Sequence, residues 1–271
     1  MLLALDVGNT NAVFGLFKAG EGAKPEVVAS WRVTTPTDQT VDEFGILLQN
    51  LFALRGLQMN KVSGVAISSV VPPLDSMLRR ACEVYFGLKP LVIEPGVKTG
   101  LPILTDHPSE VGADRIVNCV AAHELFGGPC IVVDMGTATT FDVVSKKGEF
   151  LGGAIAPGLG ISSAALFARA ARLPRIDIKK PAKVIGTNTV DNLQIGLYYG
   201  YIGLVDGILE RMVAELGAET KTVATGGLAK LIAGGSKYIA IVDEMLTLNG
   251  LRIIYERNQQ RHKKPPVDAQ A

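Results

Sequence analysis

The chain begins with Leu2-Leu3-Ala4-Leu5-Asp6-Val7-Gly8-Asn9-Thr10-Asn11, an apolar run that ends in an aspartate, a glycine and a polar tip. A second apolar run, Ile131-Val132-Val133, ends in the same way at Asp134-Met135-Gly136-Thr137-Ala138-Thr139-Thr140. Each copy leads into another extended run, so the sequence predicts one strand-turn-strand unit used twice. Glycine permits a tight turn and the close approach of a ligand, while the polar tip suits an anion and the aspartate a cation. Two such turns facing each other would bind the phosphates of a nucleotide from both sides.

The composition is that of a globular chain. Its 271 residues carry a net charge of +1, and 48% of them are hydrophobic. This length and the internal repeat favour two similar lobes, and the weak charge gives no reason to expect a nucleic acid or a membrane as partner. The three cysteines are far apart, which favours a reduced, cytoplasmic location over disulfides. Neither a signal peptide nor a membrane helix is expected, because Asp6 interrupts the first apolar run and no run reaches roughly 18 residues.

The order of the predicted elements is that of a duplicated fold. Strands come first as a meander and then alternate with helices, and this order occurs twice along the chain. We therefore predict two α/β domains with mixed sheets and a central nucleotide cleft, over residues 1–114 and 115–256. The polar residues 257–271 are predicted to form a disordered tail. Actin, sugar kinases and the nucleotide-binding half of heat-shock chaperones share this topology, which does not choose among their functions.

The segment Gly112-Ala113-Asp114-Arg115 lies where a loop becomes a helix, and two interpretations of its aspartate stay open. As an N-cap, Asp114 would accept hydrogen bonds from free backbone N–H groups of the first turn. As a general base, it would accept the proton of a hydroxyl that attacks a phosphoryl group. The tetrapeptide by itself favours the cap.

Three other signals are weaker. Thr225-Gly226-Gly227 follows a short strand and predicts either a turn into a helix or backbone contact with an adenine or ribose. Thr189 predicts the cap of a long helix or, if it faces the cleft, a substrate contact. The same helix carries glycines that predict close helix packing, within the chain or across a dimer interface: Gly196, Gly200, Gly203 and Gly207.

Five motifs in the same order resemble those of the type III pantothenate kinases, over residues 1 to about 256. The resemblance implies an actin-like (ribonuclease H-like) duplicated fold, a homodimer, and ATP-dependent phosphorylation of pantothenate, the first step of coenzyme A synthesis. It also implies magnesium and a monovalent cation, potassium or ammonium. The motifs are residues 6–11, 112–115, 134–140, 152–158 and 225–227.

The resemblance also implies roles for individual residues. Asp114 would be the proton acceptor and, with Gly112, Ala113, Arg115 and Thr189, would bind pantothenate. Asp134 would hold the monovalent cation, and Asp6 is a candidate magnesium ligand. ATP would be bound by a larger set: Asp6, Val7, Gly8, Asn9, Thr10, Asn11, Ala12, Val13, Thr137, Gly226 and Gly227. The chain departs from some members in lacking a tyrosine between Tyr85 and Gly112, which leaves one pantothenate contact without a residue.

Two alternatives use the same fold without kinase activity. One is a transcriptional regulator resembling the Bvg accessory factors, and the other is a nucleotide-gated module of the chaperone kind. The presence of Asp114 together with both turns favours the enzyme, because a regulator has no need of the base.

Overall fold

The computed structural model describes residues 1–18, 26–170 and 172–262, with no account of the side chains of residues 260–262. Strands and helices alternate along these residues in the predicted order. The strands are β1 (Leu2–Val7), β2 (Asn11–Phe17), β3 (Val27–Thr34), β4 (Gly64–Ser69), β5 (Leu91–Val92), β6 (Cys130–Met135), β7 (Ala138–Val144), β8 (Phe150–Pro157), β9 (Lys221–Thr225) and β10 (Ile241–Val242). The α-helices are α1 (Val41–Ala53), α2 (Pro72–Phe86), α3 (Ala113–Phe126), α4 (Leu159–Arg169), α5 (Thr189–Leu216), α6 (Ala229–Ala233) and α7 (Leu246–His262).

The two sheets have the same topology, which confirms the predicted duplication. One sheet has the order β3-β2-β1-β4-β5 and the other, taken from the opposite edge, β8-β7-β6-β9-β10. In each, the first three strands in sequence are antiparallel neighbours and the remaining two pair in parallel. The predicted α/β class with two mixed sheets is therefore confirmed, and β1 corresponds to β6 as β4 does to β9.

The first sheet buries one face under α1 and α2. Leu3, Leu5 and Val7 alternate into this core from β1, as the period of two predicts. Helix α1 begins with a capping box between Thr40 and Glu43, which satisfies free backbone donors at its N-terminus. The apolar stripe of α1 packs against the same core through Phe44, Leu48 and Phe52.

The second sheet is built in the same way. Ile131, Val133 and Met135 alternate from β6 into a core that the long helix α5 covers. Tyr198, Val205 and Leu209 are among the α5 side chains buried there. The residues between these core positions point to the other side of the sheet, and Asp134 is one of them, as Asp6 is in the first sheet.

Contacts divide the chain differently from the predicted boundary at residues 114 and 115. One compact unit contains residues 1–101, 107–121 and the chain from Thr247 onward, and the other contains residues 102–106 and 122–246. The reason is that α7 returns to the first unit, whereas residues 102–106 pair with the second unit's β8. Leu104 N–H donates to the Phe150 carbonyl at 2.9 Å, and Phe150 N–H donates to the Pro102 carbonyl at 2.8 Å.

Residues 257–262, the start of the predicted tail, form the last residues of helix α7. Helix α7 continues to His262, because side chains beyond the predicted end have partners in the first unit. Arg257 Nη1 donates to the Thr99 carbonyl at 2.5 Å, and Asn258 Nδ2 donates to the Lys98 carbonyl at 3.0 Å. Residues 263–271 lie outside the described residues.

Membrane-spanning segments were sought among the helices of the described ranges, and none has the length and apolarity to cross a bilayer.

Candidate functional site

The first turn, residues 8–11, is tight and polar. Gly8 N–H donates to the Asn11 carbonyl at 3.1 Å, and a Cβ on Gly8 would lie 3.2 Å from that oxygen. Gly8 has no left-handed φ, so the close packing of the turn explains the glycine better than backbone strain does. The tip residues Asn9 and Thr10 are exposed and offer their polar groups to a ligand.

Two residues of the predicted ATP-binding set do not point toward such a ligand. The side chains of Val7 and Ala12 lie in the hydrophobic core and are 2% and 5% exposed. Any contact that they make with a nucleotide must therefore come from their backbone groups. Asp6, on the opposite face of β1, is partly exposed.

Several strands of the first sheet end beside this turn. Strands β1 and β4 are parallel, and Asp6 lies in register with Ser68. Val70, which follows β4, donates its N–H to the Val7 carbonyl at 3.1 Å. In open α/β sheets, ligands bind outside the carboxyl ends of the strands, which is where Asp6 and the turn lie.

Asp114 belongs to the same unit and approaches the same end of the sheet. A Cβ on Gly112 would lie 3.8 Å from Val70 Cγ1, so the start of α3 lies against the residue that is bonded to Val7. Helix α3 begins at Ala113, which places Asp114 at the second helical position. The structure thus places Gly112 and the start of α3 against Val70, at the end of the sheet where the first turn lies.

The carboxylate of Asp114 is held by its own helix. Its Oδ1 accepts the N–H of Arg115 at 2.8 Å, so it satisfies a first-turn donor from within the helix rather than from the N-cap position. Burial raises the pKa of the Asp114 carboxyl above its ordinary value, and the Arg115 N–H and charge oppose that shift only in part. A carboxylate with a raised pKa is a stronger base, and a helix N-terminus orients it.

The second turn is also closely packed. Gly136 N–H donates to the Ala138 carbonyl at 3.0 Å, and Gly158 N–H donates to the Thr137 carbonyl at 3.1 Å. Gly158 is the N-cap of α4, so the turn that carries Thr137 lies at the positive end of that helix. Helix N-termini bind phosphates, which suits the predicted role of Thr137 in holding ATP.

Gly226 lies next to Asp134, and Tyr201 contacts the second turn from the core face of the sheet. A Cβ on Gly226 would lie 2.7 Å from Asp134 Oδ1 and from the Met135 backbone, and Gly226 has a φ of +92°. The hydroxyl of Tyr201 is hydrogen-bonded to Thr139 Oγ1. Burial raises the pKa of Tyr201, and the nearby Asp134 charge acts in the same direction. The space beside the Asp134 carboxylate is therefore too narrow for any residue other than glycine at position 226. Gly227, the next residue, is exposed.

Thr189 is not brought to this turn. It is exposed at the first residue of α5, and the cap is its neighbour Asn188, whose side chain accepts the Asp191 N–H at 2.9 Å. The prediction that Thr189 caps the helix is therefore wrong. Tyr201, the α5 residue that does contact the second turn, lies twelve residues further along, roughly 18 Å at 1.5 Å per residue.

The sequence interpretation missed Ser68 and Tyr201. Ser68 lies in the buried strand β4, where no local pattern marks it as a site residue. The signal that identifies it is the duplication, since Thr225 takes the corresponding position beside Asp134. Tyr201 had no local signal, because its contact with Thr139 joins residues 62 positions apart.

The donor groups of the two turns suit different cations. Magnesium is commonly bound by one or two carboxylates together with substrate phosphates, and Asp6, beside the buried Ser68 hydroxyl, offers one carboxylate. Asp134 and its register partners Thr140 and Thr225 offer one carboxylate and two hydroxyl oxygens on one face of the second sheet, which suits a large monovalent ion. Over residues 1–18, 26–170 and 172–262, no three His, Cys, Asp or Glu side chains come together as a metal-binding group.

Solved structures share this fold at low sequence identity. A Campylobacter jejuni protein assigned to the Baf family of transcriptional activators has a TM-score of 0.59 at 20% identity, covering 95% of this chain and 99% of its own. A Sinorhizobium meliloti protein assigned as a 2-dehydro-3-deoxygalactonokinase has a TM-score of 0.59 at 14% identity, with full coverage of both chains. These likenesses show the fold alone. With two aspartate-bearing turns, the fold defines an actin-like protein of the class that includes sugar kinases.

Within that class, the sequence comparisons identify the family. The family model described as type III pantothenate kinase matches residues 2–211. A type III pantothenate kinase from Koribacter versatilis is 63% identical over 97% of this chain and 98% of its own length. One from Acidobacterium capsulatum is 62% identical over 97% of both chains. The chain belongs to the type III pantothenate kinase family, and the regulator alternative is not favoured.

Proposed function

We propose that the chain transfers the γ-phosphoryl group of ATP to the primary hydroxyl of pantothenate and so forms 4′-phosphopantothenate, at the start of coenzyme A synthesis. The observation that carries the proposal is Asp114, a partly buried carboxylate with a raised pKa in the first turn of helix α3. Membership of the family supplies the substrate. The three cysteines are buried and form no disulfide, which supports a cytoplasmic location.

In this proposal Asp114 orients the pantothenate hydroxyl and accepts its proton as the oxygen attacks the γ-phosphorus. The backbone N–H groups and tip side chains of the first turn bind the phosphates, and Thr137 at the N-terminus of α4 provides a further contact. Arg115, next to the base, is suited to the carboxylate of pantothenate. Thr189 is kept as a substrate contact on the family resemblance alone.

Two cations complete the proposed site. Magnesium, held by Asp6, would neutralise charge on the phosphates, and potassium or ammonium, held by Asp134, would do so from the second turn. The chain's own contribution is to hold these two carboxylates in place. Asp6 lies in register with Ser68, and Asp134 lies in register with Thr225, with Gly226 packed against its carboxylate.

The first test of the proposed function is product formation. Purified protein with ATP, magnesium and potassium should release ADP only when pantothenate is added, with one phosphopantothenate formed per ADP. A coupled ADP assay and mass spectrometry of the product would measure both quantities. Binding of ATP without any pantothenate-dependent product would contradict the kinase and favour the regulator.

We also propose a homodimer in which the glycines of α5 form the contact. At 100° per residue, Gly196, Gly200, Gly203 and Gly207 fall on the face opposite the buried Tyr198 and Val205. A Cβ on any of the first three would meet no described atom within 4 Å. Each interior glycine costs a helix about 1 kcal/mol relative to alanine. Packing within the described unit therefore does not explain these glycines, whereas close approach of a second helix does.

The dimer proposal predicts that Gly200→Leu converts the protein to a monomer without loss of its fold. Leucine has room at this position within the chain but would keep a second helix at a distance. Sedimentation velocity would measure the mass, and circular dichroism the helix content. Glu215→Leu, exposed on the same helix and roughly 90° away around its axis, serves as the control and should stay dimeric. A dimer that survives Gly200→Leu would place the contact elsewhere.

A further inference from the structure

Ser68 is a buried hydroxyl without a hydrogen-bond partner. Its side chain is 0% exposed, and its Oγ has no partner among the described residues. The next residue, Ser69, is fully engaged, since its Oγ donates to Asp75 at 2.6 Å and accepts the Val71 N–H at 3.2 Å. Leaving a buried hydroxyl unpaired costs about 1–3 kcal/mol, so a partner that forms only in another state of the site would explain its presence.

The nearest ionisable group along the sheet is the carboxylate of Asp6. Strands β1 and β4 are parallel, and Asp6 and Ser68 are register partners. Leu5 and Ile67, one position earlier, both point into the hydrophobic core, so Asp6 and Ser68 share the opposite face. Neighbouring strands lie about 4.8 Å apart, so rotation of the two side chains brings the hydroxyl within hydrogen-bond distance of the carboxylate.

The duplicated half repeats this arrangement. Asp134 of β6 lies in parallel register with Thr225 of β9, the strand that corresponds to β4. Thr225 is also buried, at 2% exposure. Both copies of the fold thus place a buried hydroxyl in register with the aspartate that precedes the turn. This repetition indicates that the hydroxyl serves the aspartate and is not explained by local packing.

We propose that Ser68 is the positioning residue of Asp6. When magnesium and nucleotide are bound, Ser68 Oγ–H donates to one oxygen of the Asp6 carboxylate, and the other oxygen faces the cation. Carboxylates that bind metals are themselves hydrogen-bonded, and loss of such an outer partner typically costs 10–100-fold in metal affinity. This inference rests on the proposed function, because it requires Asp6 to serve a magnesium–nucleotide complex.

The experiment is a magnesium titration at saturating ATP and without pantothenate, in which the Tm of the protein is measured at each magnesium concentration. For Ser68→Ala, the magnesium concentration that gives half of the ATP-induced rise in Tm should increase by about 10–100-fold. The Tm of the free protein should stay the same or rise, because an unpaired buried hydroxyl has been removed. Ser68→Thr, which copies the residue found beside Asp134, should keep a midpoint close to that of the normal protein.

Thr105→Val is the matched control. Thr105 Oγ1 is another buried hydroxyl without a described partner, but it lies in the segment that pairs with β8. This variant should leave the magnesium midpoint unchanged. An unchanged midpoint in Ser68→Ala, with or without a lower Tm, would overturn the positioning role and make Ser68 structural. If magnesium and ATP fail to stabilise the normal protein at all, the proposed function fails, and the inference fails with it.

Discussion

Asp114→Asn is expected to lower kcat by about 10²–10⁴-fold, the usual contribution of a positioned general base. Asparagine keeps the volume and still accepts the Arg115 N–H, so the start of α3 should be preserved. What is lost is the carboxylate that takes the proton from the pantothenate hydroxyl. Steady-state kinetics with saturating ATP and pantothenate would measure the effect, and the KM values should change much less than kcat.

The same variant should become more stable than the normal protein as the pH rises. Burial raises the folded-state pKa of Asp114, so ionisation of this carboxyl is less favourable in the folded protein than in the unfolded chain. Ionisation of Asp114 therefore lowers the stability of the normal protein. The two proteins should have similar Tm values below the ordinary aspartate pKa of 3.8, where the carboxyl is neutral in both states. Their difference should grow from there to a plateau above the raised pKa, with the asparagine variant the more stable.

Asp42→Asn is the control for the kinetic measurement. Asp42 also occupies the second position of a helix, α1, but it is exposed, and it accepts the Tyr85 hydroxyl at 2.7 Å. This substitution should leave kcat unchanged. If Asp114→Asn instead unfolded more easily at neutral pH and kept its turnover, the carboxylate would be a helix cap and not the base.

Potassium should stimulate the normal enzyme strongly, sodium much less, and Asp134→Ala should remove that stimulation. The physical reason is the oxygen-rich surroundings of Asp134, where the close approach of Gly226 leaves a narrow space next to a single carboxylate. Such a cage accepts a large, weakly hydrated ion more readily than magnesium. In Asp134→Ala, the potassium concentration needed for half-maximal stimulation should be at least about tenfold higher, outside the range in which the normal enzyme responds, measured at constant ionic strength.

The competing explanation is that Asp134 only stabilises its turn, as turn aspartates often do. Asp243 provides the comparison, because its Oδ1 accepts the Met245 N–H at 2.8 Å in such a turn. Asp243→Ala should lower the Tm and leave the potassium dependence unchanged. Equal activity in sodium and potassium would remove the monovalent site and leave Asp134 as a turn residue or a magnesium ligand.

Local patterns were sufficient to predict the sheets and the turns. The two apolar runs predicted β1 and β6, and the repeated aspartate and glycine predicted the two turns. The long helix α5 was also predicted, with its start near Thr189.

The features that the sequence did not predict depend on contacts between distant residues. Arg257 and Asn258 belong to a polar segment that resembles a tail, and their bonds to the Thr99 and Lys98 carbonyls explain why α7 continues. The N-cap of α5 is Asn188 and not the predicted Thr189, one residue later, because threonine and asparagine are both good N-caps. Ser68 could not be predicted as a site residue, because its position beside Asp6 depends on the register between β1 and β4.

Helix α7 also bears on how the protein is made. A Cβ added to Gly15 would lie 2.8 Å from Leu248 of α7. Cβ atoms added to Gly64 and Gly250 would collide with Tyr255 and Val117, respectively. Helix α7 therefore packs closely on the first unit. During synthesis, the first sheet leaves the ribosome well before the helix that completes its packing. The unit that carries Asp6 and Asp114 therefore cannot complete its packing until α7 has been synthesised. The second unit has all of its residues before that point. A nonsense mutation near codon 245 would remove the base's structural support while leaving every proposed site residue encoded.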